Sequence, residues 1–98
     1  MLELKDFMPI NFLKKEKFTG SFKGMRFRME KLEPENEGET PGLGVTVWPE
    51  PFAYDAAKEE EKERARFAFD ADGIAAGVAW LNERYESELP RWKAAGRS

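Results

Sequence analysis

The chain contains no cysteine and no histidine among its 98 residues. Without cysteine there is no disulfide, no thiolate nucleophile and no thiolate metal site, and a cytoplasmic protein is expected ahead of an exported one. Without histidine the commonest general base is missing, together with the imidazole ligand on which most zinc, copper and iron sites depend. Any catalysis would fall to carboxylates, lysine, tyrosine or serine. Long hydrophobic runs are absent as well: no stretch approaches the roughly 20 apolar residues that a bilayer span needs. The start, Met1-Leu2-Glu3-Leu4-Lys5-Asp6, lacks the basic region and hydrophobic stretch of a secretion signal. The acidic runs lack the alternating Asp/Asn pattern and fixed glycine of a calcium loop. The expectation is a soluble protein with no membrane, metal or cofactor partner.

What is present points to one small domain. A chain of this length buries about two thirds of its unfolded surface, enough for a single modest core. The net charge of −3 hides an asymmetry: residues 1–31 hold eight Lys/Arg against four Asp/Glu, and residues 32–98 hold eight against fifteen. That polarity suits either a basic face for an anionic partner or complementarity between the first hairpin and the acidic remainder.

Residues 1–17 mix apolar side chains with Pro9 and Asn11 and read as an extended arm, able to dock through Phe7, Met8 and Phe12. The core is expected over 18–89 and a fraying tail over 90–98. Met25-Arg26-Phe27-Arg28-Met29 alternates with period two inside a strand expected over Phe22–Leu32, with Phe18–Phe22 allowing a short paired segment before it. Met25, Phe27 and Met29 then share one face, and Arg26, Arg28 and Glu30 the other. Glu33 to Gly42 reads as an exposed, mobile hairpin loop. Leu43–Trp48 is the second strand, ended by Pro49 and Pro51, and Arg64–Phe69 the third. Between them Asp55 is placed to cap a short acidic turn through Glu63.

The C-terminal helix is the clearest element. Asp70 or Asp72 caps it, and Ile74, Val78, Leu81 and Tyr85 draw an apolar stripe that reaches Leu89 before Pro90 stops it. Ala75, Ala76, Gly77 and Ala79 are small enough to allow close approach to the strands. The expected architecture is therefore α+β: a three-stranded antiparallel sheet packed on one amphipathic helix, in β-β-β-α order, with an extended N-terminal arm.

That architecture leaves a second sheet face carrying Phe22, Arg26, Arg28, Thr46, Trp48 and Arg66. The arm, an identical subunit or a foreign ligand could cover it, or it could face water with its long side chains lying along the strands. Trp and Arg dominate interface energetics, so Phe22, Arg26, Arg28, Trp48 and Arg66 form the candidate contact surface. Trp80, off the main stripe, either wraps the core edge or marks a contact patch, and Trp92 either anchors a partner or folds back. Glu59, Glu60, Glu61 and Glu63 lie among Lys and Arg as on a solvated face, and Ser21 lacks a histidine partner.

Phe22-Lys23-Gly24-Met25-Arg26-Phe27-Arg28, followed by a strand and an alanine-rich helix, is similar to the DNA-reading domain of ethylene-response-factor and integrase-type proteins. The resemblance spans roughly 20–88 and implies Arg26 and Arg28 at guanine edges or phosphates, Arg66 in support and Trp48 against the backbone. Such a face would also serve as a single-strand platform. Net acidity and the sparse Arg/Trp pattern of the later strands set it apart from that family. Val47-Trp48-Pro49-Glu50-Pro51 and Ala79-Trp80-Leu81-Asn82-Glu83-Arg84-Tyr85 resemble runs in short uncharacterised bacterial proteins, some described as acetyltransferases. That activity would need a Gly-rich turn opening a helix to cradle a pyrophosphate; Gly42-Leu43-Gly44 and Gly20 through Gly24 sit in strands and turns instead. The sequence thus suggests a non-catalytic binding module. It would associate as a homodimer, or with an acidic protein partner, through the outer sheet face; nucleic-acid binding by that face is the alternative.

Overall fold

Alternating apolar and polar residues give the chain its strands, and a computed structural model describes them within residues 2–7, 9–34, 38–50 and 53–95. β1 (Phe18–Phe22), β2 (Met25–Leu32), β3 (Gly42–Pro49) and β4 (Glu63–Ala68) form one antiparallel sheet in the order β1-β2-β3-β4. The sheet has four strands where three are expected from sequence, because Phe18–Phe22 pairs along its whole length with β2. The strand expected over Phe22–Leu32 breaks at Lys23-Gly24. Both residues have positive φ, 47° and 95°, the signature of a two-residue type I′ hairpin turn.

That turn changes the face of Phe22. Along a continuous strand Phe22 would lie with Arg26 and Arg28, but the tight turn sets it opposite Met25. It therefore joins the apolar face, where its ring meets Tyr85 edge-on at 4.9 Å.

The helical layer follows its expected stripe. α2 (Ala71–Ser87) begins at Asp70, whose Oδ1 accepts a 2.7 Å hydrogen bond from the Gly73 amide, so Asp70 and not Asp72 is the cap. Ile74, Val78 and Leu81 are buried against Met25, Phe27, Met29, Val45 and Val47. Of the small residues expected to permit close approach, only Gly77 lies on the stripe, three residues from Ile74 and four from Leu81; Ala75, Ala76 and Ala79 face solvent. A Cβ at Gly77 would sit 3.1 Å from both Met29 Cε and Val45 Cγ2.

The helix count also departs from expectation, with three α-helices among the described residues in place of one. Pro90 does not end the fold. α2 stops at Ser87, and Pro90 falls in the first turn of α3 (Leu89–Ala95), where its missing N–H has no helical acceptor to lose. Trp92 is fully buried, and its Nε1 donates to the Arg84 carbonyl at 3.1 Å. It folds back onto its own domain, so residues 90–95 of the expected tail are helical and send Trp92 into the core; residues 96–98 lie outside the described residues.

The N-terminal segment is wound, not extended. A 3-10 turn at Leu4–Asp6 and α1 (Ile10–Leu13) carry Leu2, Phe7 and Leu13 into the core on the helical face. The Phe7 ring packs on Phe18 and Phe27 at 5.6 and 5.3 Å. Asn82 of α2 grips the Leu2 backbone, donating from Nδ2 to the carbonyl at 2.9 Å and accepting from the amide at 3.0 Å. Phe12 is exposed; Met8 and residues 35–37 of the expected hairpin loop lie outside the described residues. Among the described residues no helix is long and apolar enough to cross a membrane.

Candidate functional site

The outer face is built by register. Arg26 stands opposite Trp48 and Arg28 opposite Thr46, while Gly44 lies between Glu30 on β2 and Arg66 on β4. Four of the five expected contact residues, Arg26, Arg28, Trp48 and Arg66, thus share this face, and Phe22 lies on the other.

Part of the face is already covered, and the cover is the connection from β3 to β4. Tyr54 of that connection lays its ring edge-on to Trp48 at 5.4 Å, and Trp48 is wholly removed from solvent. The Arg28 guanidinium and the Lys62 ammonium each stand 4.0 Å from the centre of the Tyr54 ring. Two cations on one ring hold the tyrosine through its electron-rich π system. The Tyr54 hydroxyl also accepts from Arg64 Nη2 at 3.2 Å.

Two arginines of the face, Arg28 and Arg64, are paired with carboxylates within the chain. Arg28 Nε lies 2.8 Å from Glu30 Oε2. Arg64 makes a forked pair with Glu59, at 2.8 and 3.1 Å. Hydrogen bonds from Arg64 and then Lys62 hold the Glu59 carboxyl down at about 2, and the same fork raises the Arg64 pKa. Glu59 belongs to a 3-10 turn, Glu59–Glu61, which follows Lys58; Asp55 supplies no cap to it. Neither Tyr54 nor Arg64 is among the contact residues expected from sequence. The parity of β4 could have found Arg64, two residues from Arg66, whereas Tyr54 sits in an irregular segment with no period to reveal it.

Beside the tyrosine the face stays open. A cleft of about 260 Å³ is lined by Glu30, Leu32, Gly44, Tyr54, Arg64 and Arg66. Two glycines shape it: a Cβ at Gly44 would lie 2.9 Å from Leu32 Cγ and one at Gly42 2.5 Å from Arg66 Nε, so Leu32 and Arg66 lie across bare backbone. Arg66 is exposed and, among the described residues, has no carboxylate partner. Among those residues no group of three or more carboxylates could hold a metal ion. A second hollow of about 340 Å³, where the N-terminal segment meets α2, is lined by Leu4, Phe7, Pro9, Ile10, Ala71 and Ile74 and is apolar.

A separate charged cluster holds the C-terminal helices to β4. Glu63 accepts from Arg84 Nη1 at 2.8 Å and from Arg91 Nη1 at 3.0 Å, and Arg91 also donates to Glu88 at 3.2 Å and to the Glu61 carbonyl. Burial works to raise the Glu63 carboxyl, but hydrogen bonds from Arg84 and from Glu88, with the charges of Arg84 and Arg91, leave it below its ordinary value. Burial first, then the neighbouring Glu63, raises Glu88. As pH falls, the pair's first proton is thus favoured on Glu88, with Glu63 ionised between two guanidinium groups. This arrangement ties elements together; Trp80, half-buried with its ring 6.4 Å from Phe67, likewise belongs to the core edge. No family model matches the chain, and neither a curated protein nor a solved structure matches it.

Proposed function

We propose that this protein is a small binding module that takes an acidic segment of a protein partner in the open cleft of its outer sheet face. Arg66 supplies the charge, and Leu32 and Tyr54 supply apolar walls for the residues beside the bound carboxylate. The observation that carries this reading is Arg66 itself, an exposed guanidinium without a carboxylate partner among the described residues, beside a cleft. A guanidinium binds a carboxylate through two parallel hydrogen bonds, giving direction as well as energy. Self-association through the same face would draw on an aromatic anchor at its centre, and Trp48 lies beneath Tyr54. Nucleic-acid binding would draw on unneutralised cations, and Arg28 and Arg64 are matched by Glu30 and Glu59.

The test is an anisotropy titration of a labelled glutamate-rich peptide, a short duplex and a single-stranded oligonucleotide at low and high salt, with light scattering across protein concentration. Peptide binding that weakens about tenfold or more in Arg66→Ala is expected. Tighter binding of either oligonucleotide with a steep salt dependence would replace this reading with the nucleic-acid one. A dimer dissociated by Arg66→Ala would replace it with self-association, and peptide affinity indifferent to Arg66→Ala would end it.

A further inference from the structure

The two edges of the sheet are unequally guarded. β4 carries Glu63, Arg64 and Arg66 along its six residues, the kind of charge that discourages another strand from pairing. β1, Phe18-Thr19-Gly20-Ser21-Phe22, carries no charge, no proline and no bulge. It pairs only with β2, and among the described residues no other backbone hydrogen bond leaves it. Because the tight turn makes Phe22 and Met25 a hydrogen-bonded pair, the alternation of an antiparallel ladder turns the N–H and C=O groups of Thr19 and Ser21 outward. Their side chains are exposed, while Phe18 and Phe22 are half-buried on the helical face.

We propose that the free edge of β1 accepts an extended, acid-flanked segment of a partner protein as a fifth antiparallel strand. The occupant follows from charge. Lys17 and Lys23 bracket the strand, and Lys14 and Lys15 stand exposed just before it. A second copy pairing antiparallel over all five residues would set Lys17 opposite Lys23 of its partner at both ends, and like charges directly opposite destabilise a ladder. An incoming strand with Asp or Glu at its ends and apolar residues at alternate positions reverses both terms. Its acidic ends meet the lysines, its apolar side chains extend the row of Phe18 and Phe22, and its backbone satisfies Thr19 and Ser21. This edge lies at the opposite side of the sheet from the Arg66 cleft and does not rest on it.

The test uses the full chain and a labelled peptide of alternating valine and threonine with two aspartates at each end. Its controls are the same peptide with lysines at the ends and one N-methylated at alternate amides. Binding is expected for the acid-ended peptide, with slowed amide exchange at Thr19 and Ser21. The lysine-ended and N-methylated peptides should bind about tenfold or more weakly. Ser21→Pro, which removes an outward N–H, should abolish binding in a chain that also carries Arg66→Ala, where the cleft offers the aspartates no guanidinium and only the edge can hold the peptide. The proposal is overturned by equal binding of the N-methylated peptide, by binding without protection at Thr19 and Ser21, or by no binding. A dimer of the protein alone that Ser21→Pro disperses would overturn it in favour of a second copy.

Discussion

Gly73 shows how much one side chain is constrained. It sits in the first turn of α2 with its amide bonded to Asp70, and a Cβ there would fall 1.7 Å from the Ala68 carbonyl oxygen. Backbone cannot swing aside as a side-chain tip can, so Gly73→Ala should cost about 1–3 kcal/mol in urea unfolding even though alanine is the better helix former. Asp70→Ala should cost about 1 kcal/mol through the lost cap. Trp92→Ala, which empties a fully buried site and frees the Arg84 carbonyl, should cost about 3–5 kcal/mol by the same measurement. The apolar stripe of Ile74, Val78 and Leu81 was legible because its period is local. The burial of Trp92 was not, because nothing in Leu89-Pro90-Arg91-Trp92 specifies which way the chain turns after Ser87.

At the scale of elements, α3 hangs on the Glu63 cluster as well as on Trp92. Glu63 favours its ionised form, so its contribution is full above the ordinary carboxylate value of 4.5 and is lost as pH falls through its lowered value. Glu88 has the opposite sign: the fold favours its neutral form, a contribution present below 4.5 and lost as pH rises through its raised value. Glu63→Gln should therefore destabilise by about 1–2 kcal/mol at neutral pH. Glu88→Gln should be neutral or stabilising there by up to about 1 kcal/mol, an effect that fades below pH of about 4.5. Denaturant melts of both variants between pH 3 and about 7 check this; equal losses at neutral pH would contradict the assignment of the proton. Glu63 read as one more surface glutamate because its partners Arg84 and Arg91 lie 21 and 28 residues away.

For the molecule as a whole, segments without a regular period complete the helical face of the sheet and cover part of the outer one. The N-terminal segment completes the helical face through Leu2, Phe7 and Leu13. Removing residues 1–7 should lower stability by more than about 2 kcal/mol, on the scale of losing one buried aromatic. The β3–β4 connection covers Trp48 through Tyr54, so Tyr54→Ala should increase acrylamide quenching of tryptophan fluorescence while leaving the helical signal intact. No change in quenching would show that the cover does not depend on that ring.

The sequence alone determined the α+β class, the partition of Met25, Phe27 and Met29 from Arg26 and Arg28, and the stripe of the long helix, with its cap narrowed to Asp70 or Asp72. Each is set by neighbours within a few residues, through pleat, period or capping. Tertiary structure decided the fourth strand, the face on which Phe22 lies, the return of Trp92 and the covering of Trp48 by Tyr54. A two-residue turn reverses side-chain parity, and a contact across many residues leaves no periodic trace in the chain. The open cleft beside Arg66 belongs to the second group: its charge could be read along β4, but its vacancy depended on which arginines had found carboxylates in the folded chain.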